Sequence, residues 1–147
     1  MKSEPDAFSI DDLLKAKNKT SPWDGVRNYQ ARNYIKDMKV GDSAFFYHSS
    51  CAVPGIAGLV TIISPPYPDP SAFDPKSPYF DPKSSPANPR WFMADVKFKM
   101  KFEDPITLLA LKHNPQLKGF TLLNRGNRLS VMPVTPLQWK SIIAMAS

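Results

Sequence analysis

The stretch that decides the fold lies between residues 43 and 63 and reads SAFFYHSSCAVPGIAGLVTII. Ser43–His48 is short and aromatic, and Gly55–Ile63 is apolar and rich in β-branched side chains, a composition typical of strands. The residues between them, Ser49–Pro54, include a proline and interrupt both runs. The pattern therefore predicts a hairpin of two strands joined by this loop.

Three further extended segments and four helices are expected around this hairpin. The extended segments are Met1–Pro5, Arg90–Phe102 with a bulge at Ala94–Asp95, and Arg128–Val134. The helices are one capped by Ser9 and Asp12, one over Tyr29–Met38, one with Pro105 in its first position, and one opened by Thr135–Pro136.

The order of these elements narrows the fold class. Few strands alternate regularly with helices, which disfavours a doubly wound parallel sheet. The chain is better explained as an α+β protein, with a small, largely antiparallel sheet or barrel and helices packed around it.

Composition favours one globular domain over residues 1–147. The hydrophobic share of 42% is enough for a core, and no run reaches the roughly 18 apolar residues of a membrane span. No signal peptide is recognisable, and the single cysteine, Cys51, excludes an internal disulfide. We expect a monomer in the cytoplasm of a bacterium, or in the nucleus if the source is eukaryotic.

The charge pattern favours an anionic partner. The net charge is +6, and the five arginines each lie within a few residues of Trp, Tyr or Asn. Because a guanidinium group can grip phosphate and stack on rings, these arginines indicate specific contacts, whereas the scattered lysines indicate general solvation. Charge alone identifies no partner.

Residues 65–89 contain nine of the 16 prolines, interleaved with aromatic side chains. A loop of this length in a compact domain is usually functional or disordered. The regular aromatics predict that it is fixed to the body of the protein.

Residues 23–34, which read WDGVRNYQARNY, carry the strongest functional signal. Rings, guanidinium groups and amides beside a glycine suit stacking on a heterocycle and hydrogen bonding to its edge. A half-buried helix with aromatics inward and arginines outward explains the same residues equally well. Arg90-Trp91 and Arg128 to Ser130 repeat the theme, and all three segments would have to converge for a pocket to form.

Catalytic and metal chemistry are less well supported. Tyr47–Cys51 combines a histidine with hydroxyls and a thiol, but neighbours in a strand point to opposite faces. One cysteine and two distant histidines do not make a zinc set. We expect neither a metal nor a cofactor.

Five blocks together resemble the successive motifs of the EVE domain family. They are Met1–Pro5, Trp23–Asn33, Tyr47–Ser49, Pro89–Trp91 and Arg128–Val131. The resemblance covers essentially the whole chain. EVE domains carry a few more residues before the Lys-Ser-Glu-Pro segment, so the resemblance implies a shortened first strand here.

The resemblance implies a PUA-like barrel with peripheral helices, related to YTH and ASCH domains, and a pocket for a modified base of DNA or RNA. YTH relatives hold N6-methyladenine in an aromatic cage, and EVE domains are associated with modified cytosines. Trp23 would be the stacking ring, with Arg27 and Asn28 as polar contacts. The implied base pocket comprises Ser3, Glu4, Pro5, Trp23, Arg27, Asn28, Tyr47, His48, Ser49, Trp91 and Ser130. The implied phosphate contacts are Arg32, Arg90 and Arg128.

Three functions follow as hypotheses. The first is a non-catalytic reader of a modified base, with modified cytosine favoured. The second is an enzyme acting on a modified base or nucleotide through Tyr47-His48-Ser49. The third is a protein-interaction module that uses the proline-rich segment.

Overall fold

The structure, a computed structural model, describes residues 1–146 as seven strands, four α-helices and four short 3₁₀ turns. The strands are β1 (Lys2–Ser3), β2 (Thr20–Pro22), β3 (Ser43–His48), β4 (Gly55–Ile62), β5 (Tyr67–Pro68), β6 (Phe92–Met93) and β7 (Asp95–Thr107). The α-helices are α1 (Ile10–Lys15), α2 (Tyr29–Lys36), α3 (Leu108–Lys112) and α4 (Pro136–Met145). The 3₁₀ turns are Lys17–Lys19, Pro70–Phe73, Pro115–Leu117 and Thr121–Leu123. No helix within residues 1–146 is long and apolar enough to cross a membrane.

A five-stranded sheet in the order β1-β3-β4-β7-β2 forms the centre of the molecule. The hairpin predicted from residues 43–63 is confirmed, with Ser43 opposite Thr61 and His48 opposite Gly55. Only β1 runs parallel to its neighbour, β3, whereas the other pairs are antiparallel. Strands β5 and β6 form a separate two-stranded antiparallel sheet. Only Ala94 separates β6 from β7 along the chain.

Strand β3 supplies side chains to two cores because successive residues point to opposite faces. Phe46 lies in a cluster with Trp23 and with side chains of α1 and α2. Its neighbours Phe45 and Tyr47 lie in a second cluster with side chains of α3 and α4. The helices therefore cover both faces of the sheet, and the α+β class is confirmed.

The N-terminal caps of two helices follow the sequence prediction. Ser9 and Asp12 form a reciprocal capping box at α1, and Thr135 forms one with Gln138 at α4. These side chains satisfy backbone N–H groups that have no partner within the helix.

The helix predicted through Leu108, Leu109 and Leu111 is present but begins later than expected, and the strand predicted over residues 128–134 is absent. Pro105 lies in β7 rather than at a helix start, and α3 begins later with Thr107 as its cap. The β4–β7 register jumps from Gly58–Lys101 to Ile56–Ile106, so Pro105 falls in a bulge where its missing N–H breaks no ladder bond.

The second error concerns residues 128–134, which form no strand. Leu129 and Val131 are buried, so the alternation in this segment correctly marks an inward and an outward side. The segment is nevertheless held by isolated bonds, including one from the Lys2 N–H to the Ser130 carbonyl at 2.7 Å. Alternating apolar and polar residues show which side of a segment is buried, and they can occur in a segment that pairs with no neighbouring strand.

The proline-rich segment is fixed to the body, as its aromatics predicted. The Trp91 indole N–H donates to the Asp81 carboxylate at 2.7 Å, and the Asp69 N–H donates to the Trp91 carbonyl at 2.9 Å. The Asp81 N–H also donates to Ala72 within the segment, at 3.0 Å. The predicted bulge at Ala94–Asp95 is the point where Arg90–Phe102 divides into β6 and β7.

Glycine is required in the middle of β4 by close packing against β7. A Cβ atom added at Gly58 would collide with the Met100 carbonyl oxygen, which belongs to the backbone and cannot turn aside. We expect Gly58→Ala to lower the free energy of unfolding by about 2–3 kcal/mol, the cost of overpacking a well-packed core. Urea denaturation of the variant would measure the change.

Lys99→Ala on the neighbouring strand is the matched control, because Lys99 is exposed and its removal leaves no cavity. Equal stability of Gly58→Ala and wild type would show that the two strands do not approach as closely as described.

Candidate functional site

A polar hollow of about 500 Å³ lies where β1, the segment after β2 and the proline-rich segment meet. This volume falls within the range of ligand-binding clefts, roughly 300–1,000 Å³. Its walls are formed by Lys2, Ser3, Glu4, Ala7, Phe8, Ser21, Pro22, Trp23, Asp24, Gly25, Val26, Tyr79 and Ser130. Four residues of the predicted base pocket thus converge here: Ser3, Glu4, Trp23 and Ser130.

One wall is set by the chain that leaves β2. The Trp23 N–H donates to the Ala94 carbonyl at 2.9 Å, and its indole meets the Phe46 ring edge-on at 5.4 Å. Gly25 then turns the chain with φ of +78°, which side-chain-bearing residues rarely adopt. Its N–H donates to the Asp69 carboxylate at 2.8 Å.

The opposite wall is held by the first strand. The Ser3 hydroxyl donates to the Phe8 carbonyl at 2.6 Å, and the Ser3 carbonyl accepts from the Ser49 N–H at 2.9 Å. Lys2 is bonded through its N–H to Ser130, as described above, so both residues sit at fixed positions beside the hollow.

The hollow contains charged groups of both signs. Burial lowers the pKa of Lys2, and burial together with the nearby charge of Asp69 raises the pKa of Asp24. Within residues 1–146, no other residue donates a hydrogen bond to the carboxyl group of Asp24 or Glu4. The site therefore offers carboxyl oxygens that no other described residue uses, beside one amine.

Arg27, expected to touch the base, bonds instead to the protein with all of its N–H groups. It donates to the Asp69 carboxylate at 3.1 Å, to the Ser71 hydroxyl at 3.1 Å and to the Val26 carbonyl at 2.9 Å. It also donates twice to the Tyr79 carbonyl, at 3.0 and 2.8 Å. No donor remains for a ligand in this arrangement, and the side chain ties Trp23–Tyr34 to the proline-rich segment.

Asp69 is the anchor of this contact and has a side chain with 0% exposure. Burial alone would raise the pKa of Asp69, but hydrogen bonds from Ser71, Gly25 and Arg27 outweigh burial and lower it.

A second group of expected site residues lies together outside the hollow. Tyr29 stacks on Trp91 with centroids 4.8 Å apart, and the Arg32 guanidinium lies 4.9 Å from the Tyr29 ring. Arg32 donates to the Arg90 carbonyl at 3.0 Å. The structure thus brings Arg32, Arg90 and Trp91 together, but at the junction of α2 and the proline-rich segment.

Three other expected pocket residues hold secondary structure. The Asn28 side chain caps α2 by accepting from the Ala31 N–H at 3.0 Å. His48 Nε2 accepts the Ile10 N–H at 3.1 Å and so caps α1. Ser49 contributes its backbone N–H to Ser3.

Tyr47 points to the opposite face of β3 and lines a second, apolar hollow of about 400 Å³ with Phe45 and Trp139. The Met1 amine, at the edge of this hollow, donates to the Phe45 carbonyl at 2.9 Å. Of the remaining expected residues, Pro5 does not line the polar hollow, and Arg128 is exposed two residues from Ser130.

Sequence reasoning missed Lys2, Phe8, Asp24, Gly25 and Tyr79 as lining residues. Asp24 and Gly25 lie inside the stretch that carried the strongest signal, so their neighbourhood could have indicated them. Tyr79 gave no comparable sign, because it is one of several aromatics among the prolines. Within residues 1–146, no group of three or more His, Cys, Asp or Glu side chains is placed to hold a metal ion.

A curled, mostly antiparallel sheet with helices on both faces and a polar hollow at one end define an α+β domain of the PUA-like type. The EVE domain family matches residues 1–145, and the chain belongs to that family. The resemblance expected from the five motif blocks is thereby confirmed.

Relatives of known sequence or structure agree with this assignment. Human thymocyte nuclear protein 1 is 42% identical over an alignment 162 positions long, which covers 99% of this chain and 72% of the human protein. A Pseudomonas putida protein of solved structure is 48% identical, with a TM-score of 0.96 over 100% of this chain and 97% of that one. Human THYN1 in complex with DNA containing 5-methylcytosine is 41% identical, with a TM-score of 0.95 over 100% of this chain and 95% of that one.

Loss of the Arg27 guanidinium should leave Asp69 buried without its counter-charge. We expect Arg27→Met to lower the free energy of unfolding by about 3 kcal/mol, measured by urea denaturation. Arg128→Met is the control and should change it by less than about 0.5 kcal/mol, since Arg128 is exposed.

The double variant Arg27→Met/Asp69→Asn distinguishes an ion pair from simple packing. If the charge of Asp69 causes the loss, the double variant should be less destabilised than the sum of the two single variants. Additive losses would contradict the pairing.

Stability should depend on pH through His48. Burial is the main cause that lowers the pKa of His48. The neutral form is also the one whose Nε2 can accept the Ile10 N–H. A group with a lowered pKa contributes stability above its unfolded pKa of about 6.5 and loses that contribution as the pH falls. Wild type should therefore lose stability between pH 7 and pH 5 relative to His48→Gln, whose amide cannot titrate.

His113→Gln is the control, because His113 is exposed on the surface after α3. The measurement is the free energy of unfolding of all three proteins across this pH range. A constant difference between wild type and His48→Gln across this range would show that titration of His48 does not affect stability.

Proposed function

We propose that residues 1–147 act as a single EVE domain that binds DNA or RNA and accepts an extruded modified cytosine in the polar hollow. The observation that carries this proposal is the hollow itself, with Trp23, Tyr79 and unused polar groups in its walls. Support comes from the structural likeness to human THYN1, which has been solved with DNA containing 5-methylcytosine.

The energetic requirements of such binding match the groups that are present. Extruding a base from a stack costs a few kcal/mol, and stacking on an aromatic ring returns about 1–3 kcal/mol. The remainder must come from hydrogen bonds to the base edge and from phosphate contacts. The hollow offers aromatic rings for stacking, and it offers charged and hydroxyl groups for hydrogen bonds to the base edge.

The unused carboxyl groups favour a base that carries an amino group. Cytosine presents its N4 amino group as a donor, and Asp or Glu side chains accept from it. Asp24 and Glu4 are the available acceptors, while Lys2 and Ser130 offer donors for the ring nitrogen or the O2 carbonyl. Thymine presents an O4 acceptor at the same place and would meet these carboxyl groups unfavourably.

Phosphate contact is proposed for Arg128, which is exposed and lies two residues before Ser130 in the wall of the hollow. Arg32 and Arg90 keep exposed area beside Tyr29 and are proposed to meet phosphates further along the strand. Neutralised phosphates release counterions, so binding should weaken as salt rises.

Recognition of the methyl group alone should be modest. Burying one methyl group returns about 0.8 kcal/mol, which corresponds to roughly a fourfold preference. We therefore expect cytosine and 5-methylcytosine to differ less than cytosine and thymine.

Catalysis by Tyr47-His48-Ser49 is the alternative, and the geometry of these residues gives it no support. His48 Nε2 already accepts a backbone N–H, and Tyr47 lies against the opposite core. A general base must be within hydrogen-bond reach of its substrate, and His48 does not line the polar hollow. The proline-rich interaction module is likewise less favoured, because that segment is fixed to the protein.

Calorimetry with single-stranded oligonucleotides that differ only in one central base tests the proposal. The bases are cytosine, 5-methylcytosine, 5-hydroxymethylcytosine, N6-methyladenine and thymine. Wild type should bind a cytosine derivative most tightly, and its affinity should fall with rising salt. Equal affinity for all five strands would contradict a base pocket.

Asp24→Asn probes the reading of the amino edge. The variant should lose most of the preference for cytosine over thymine while it keeps binding both, because an amide can donate as well as accept. Asp6→Asn makes the same change of charge on an exposed residue outside the hollow and should keep the preference.

A further inference from the structure

Three aromatic rings line the polar hollow, and they differ in how much surface a ligand could cover. Trp23 is 7% exposed and packs edge-on against Phe46 in the core. Phe8 also packs against Phe46, with ring centroids 6.4 Å apart. Phe8 is partly buried and Tyr79 is 43% exposed, so Tyr79 is the most exposed of the three residues.

The backbone that carries Tyr79 is held in place from several sides. Its carbonyl accepts both bonds from Arg27, which is itself bonded to the buried Asp69. Its N–H donates to the Ser77 hydroxyl at 3.1 Å. These bonds involve only backbone atoms of Tyr79, so the ring is positioned without using its own hydroxyl.

The ring is also placed by its contact with Gly25. A Cβ atom added at Gly25 would lie 2.7 Å from Cζ of Tyr79 and 2.9 Å from both Cε atoms. These three atoms are closer than the hydroxyl oxygen, so the ring presents its face near Cζ to the glycine. A side chain at position 25 would displace the ring, so the glycine allows the Tyr79 ring to pack closely against this wall of the hollow.

A ring held in this way loses little conformational freedom when a ligand arrives, which favours binding. Stacking also needs an exposed ring of fixed orientation, and a residue in the packed core cannot supply it. The guanidinium of Arg27 lies 5.6 Å from the centroid of the Tyr79 ring, so a cation adds to the electrostatics of this wall.

We propose that Tyr79 is the ring on which the extruded base stacks, and that Trp23 instead closes the back of the hollow. The proposal rests on the proposed function and names a binding residue within the same site. The proline-rich segment thereby forms one wall of the base pocket and is held ready by Arg27.

This assignment separates affinity from selectivity. Stacking accepts every base because each has a π face, so Tyr79 contributes to binding of all strands. Selection of one base is left to the polar groups of the opposite wall.

The experiment compares wild type, Tyr79→Phe and Tyr79→Leu in binding an oligonucleotide with one 5-methylcytosine. Tyr79→Phe keeps the ring and should stay within about twofold of wild type. Tyr79→Leu keeps an apolar side chain without a ring and should weaken binding about tenfold or more. Phe80→Leu is the matched control, because Phe80 is 39% exposed in the same segment but does not line the hollow.

A spectroscopic readout separates stacking from a loss of shape. Ring stacking should move the 5-methyl proton resonance of the bound base upfield. This upfield shift should be the same in Tyr79→Phe as in wild type, and it should be smaller in Tyr79→Leu. Thermal unfolding of each variant establishes that it is folded.

The outcomes are distinct. Wild-type binding with unchanged affinity and shift in Tyr79→Leu overturns the role of Tyr79 and leaves the proposed function standing. Failure of wild type to bind any strand overturns both. Loss of affinity in Phe80→Leu equal to that in Tyr79→Leu also overturns the assignment, because it would show a general effect of the segment.

Discussion

The ion pair between Arg27 and Asp69 joins the two parts of the chain that build the polar hollow. The Asp69 carboxylate is fully buried and receives bonds from Arg27, Ser71 and Gly25. A buried charge is tolerated only when its bonds are satisfied, so these segments must come together for the protein to fold. The hollow is therefore a product of the same interaction that fixes the proline-rich segment.

Much of the fold could be predicted because apolar runs and capping residues reflect interactions between residues that are close in sequence. The apolar runs on either side of Ser49–Pro54 specified the hairpin, and Ser9 and Thr135 marked helix starts through their side-chain caps. Pro105 misled because a proline fits a first helical turn and a strand bulge equally well. Residues 128–134 misled because burial on one side does not require a strand.

The candidate site was less predictable because it depends on contacts between distant segments. Arg27 has the chemistry for a phosphate or a base, and the same donors fit a buried carboxylate and a carbonyl. His48 and Asn28 likewise have reactive or polar groups that the fold uses as helix caps. The family resemblance named four residues that line the hollow, Ser3, Glu4, Trp23 and Ser130, whereas only the geometry could add Tyr79.

The placement of β3 has a consequence for how the protein opens. Phe46 belongs to one hydrophobic cluster and Phe45 and Tyr47 to the other, within a single strand. Removal of β3 would disrupt both clusters at once, because the strand supplies side chains to each. Amide hydrogens of β3 and β4 should thus exchange with solvent only through global unfolding, and the two halves should melt in one cooperative transition.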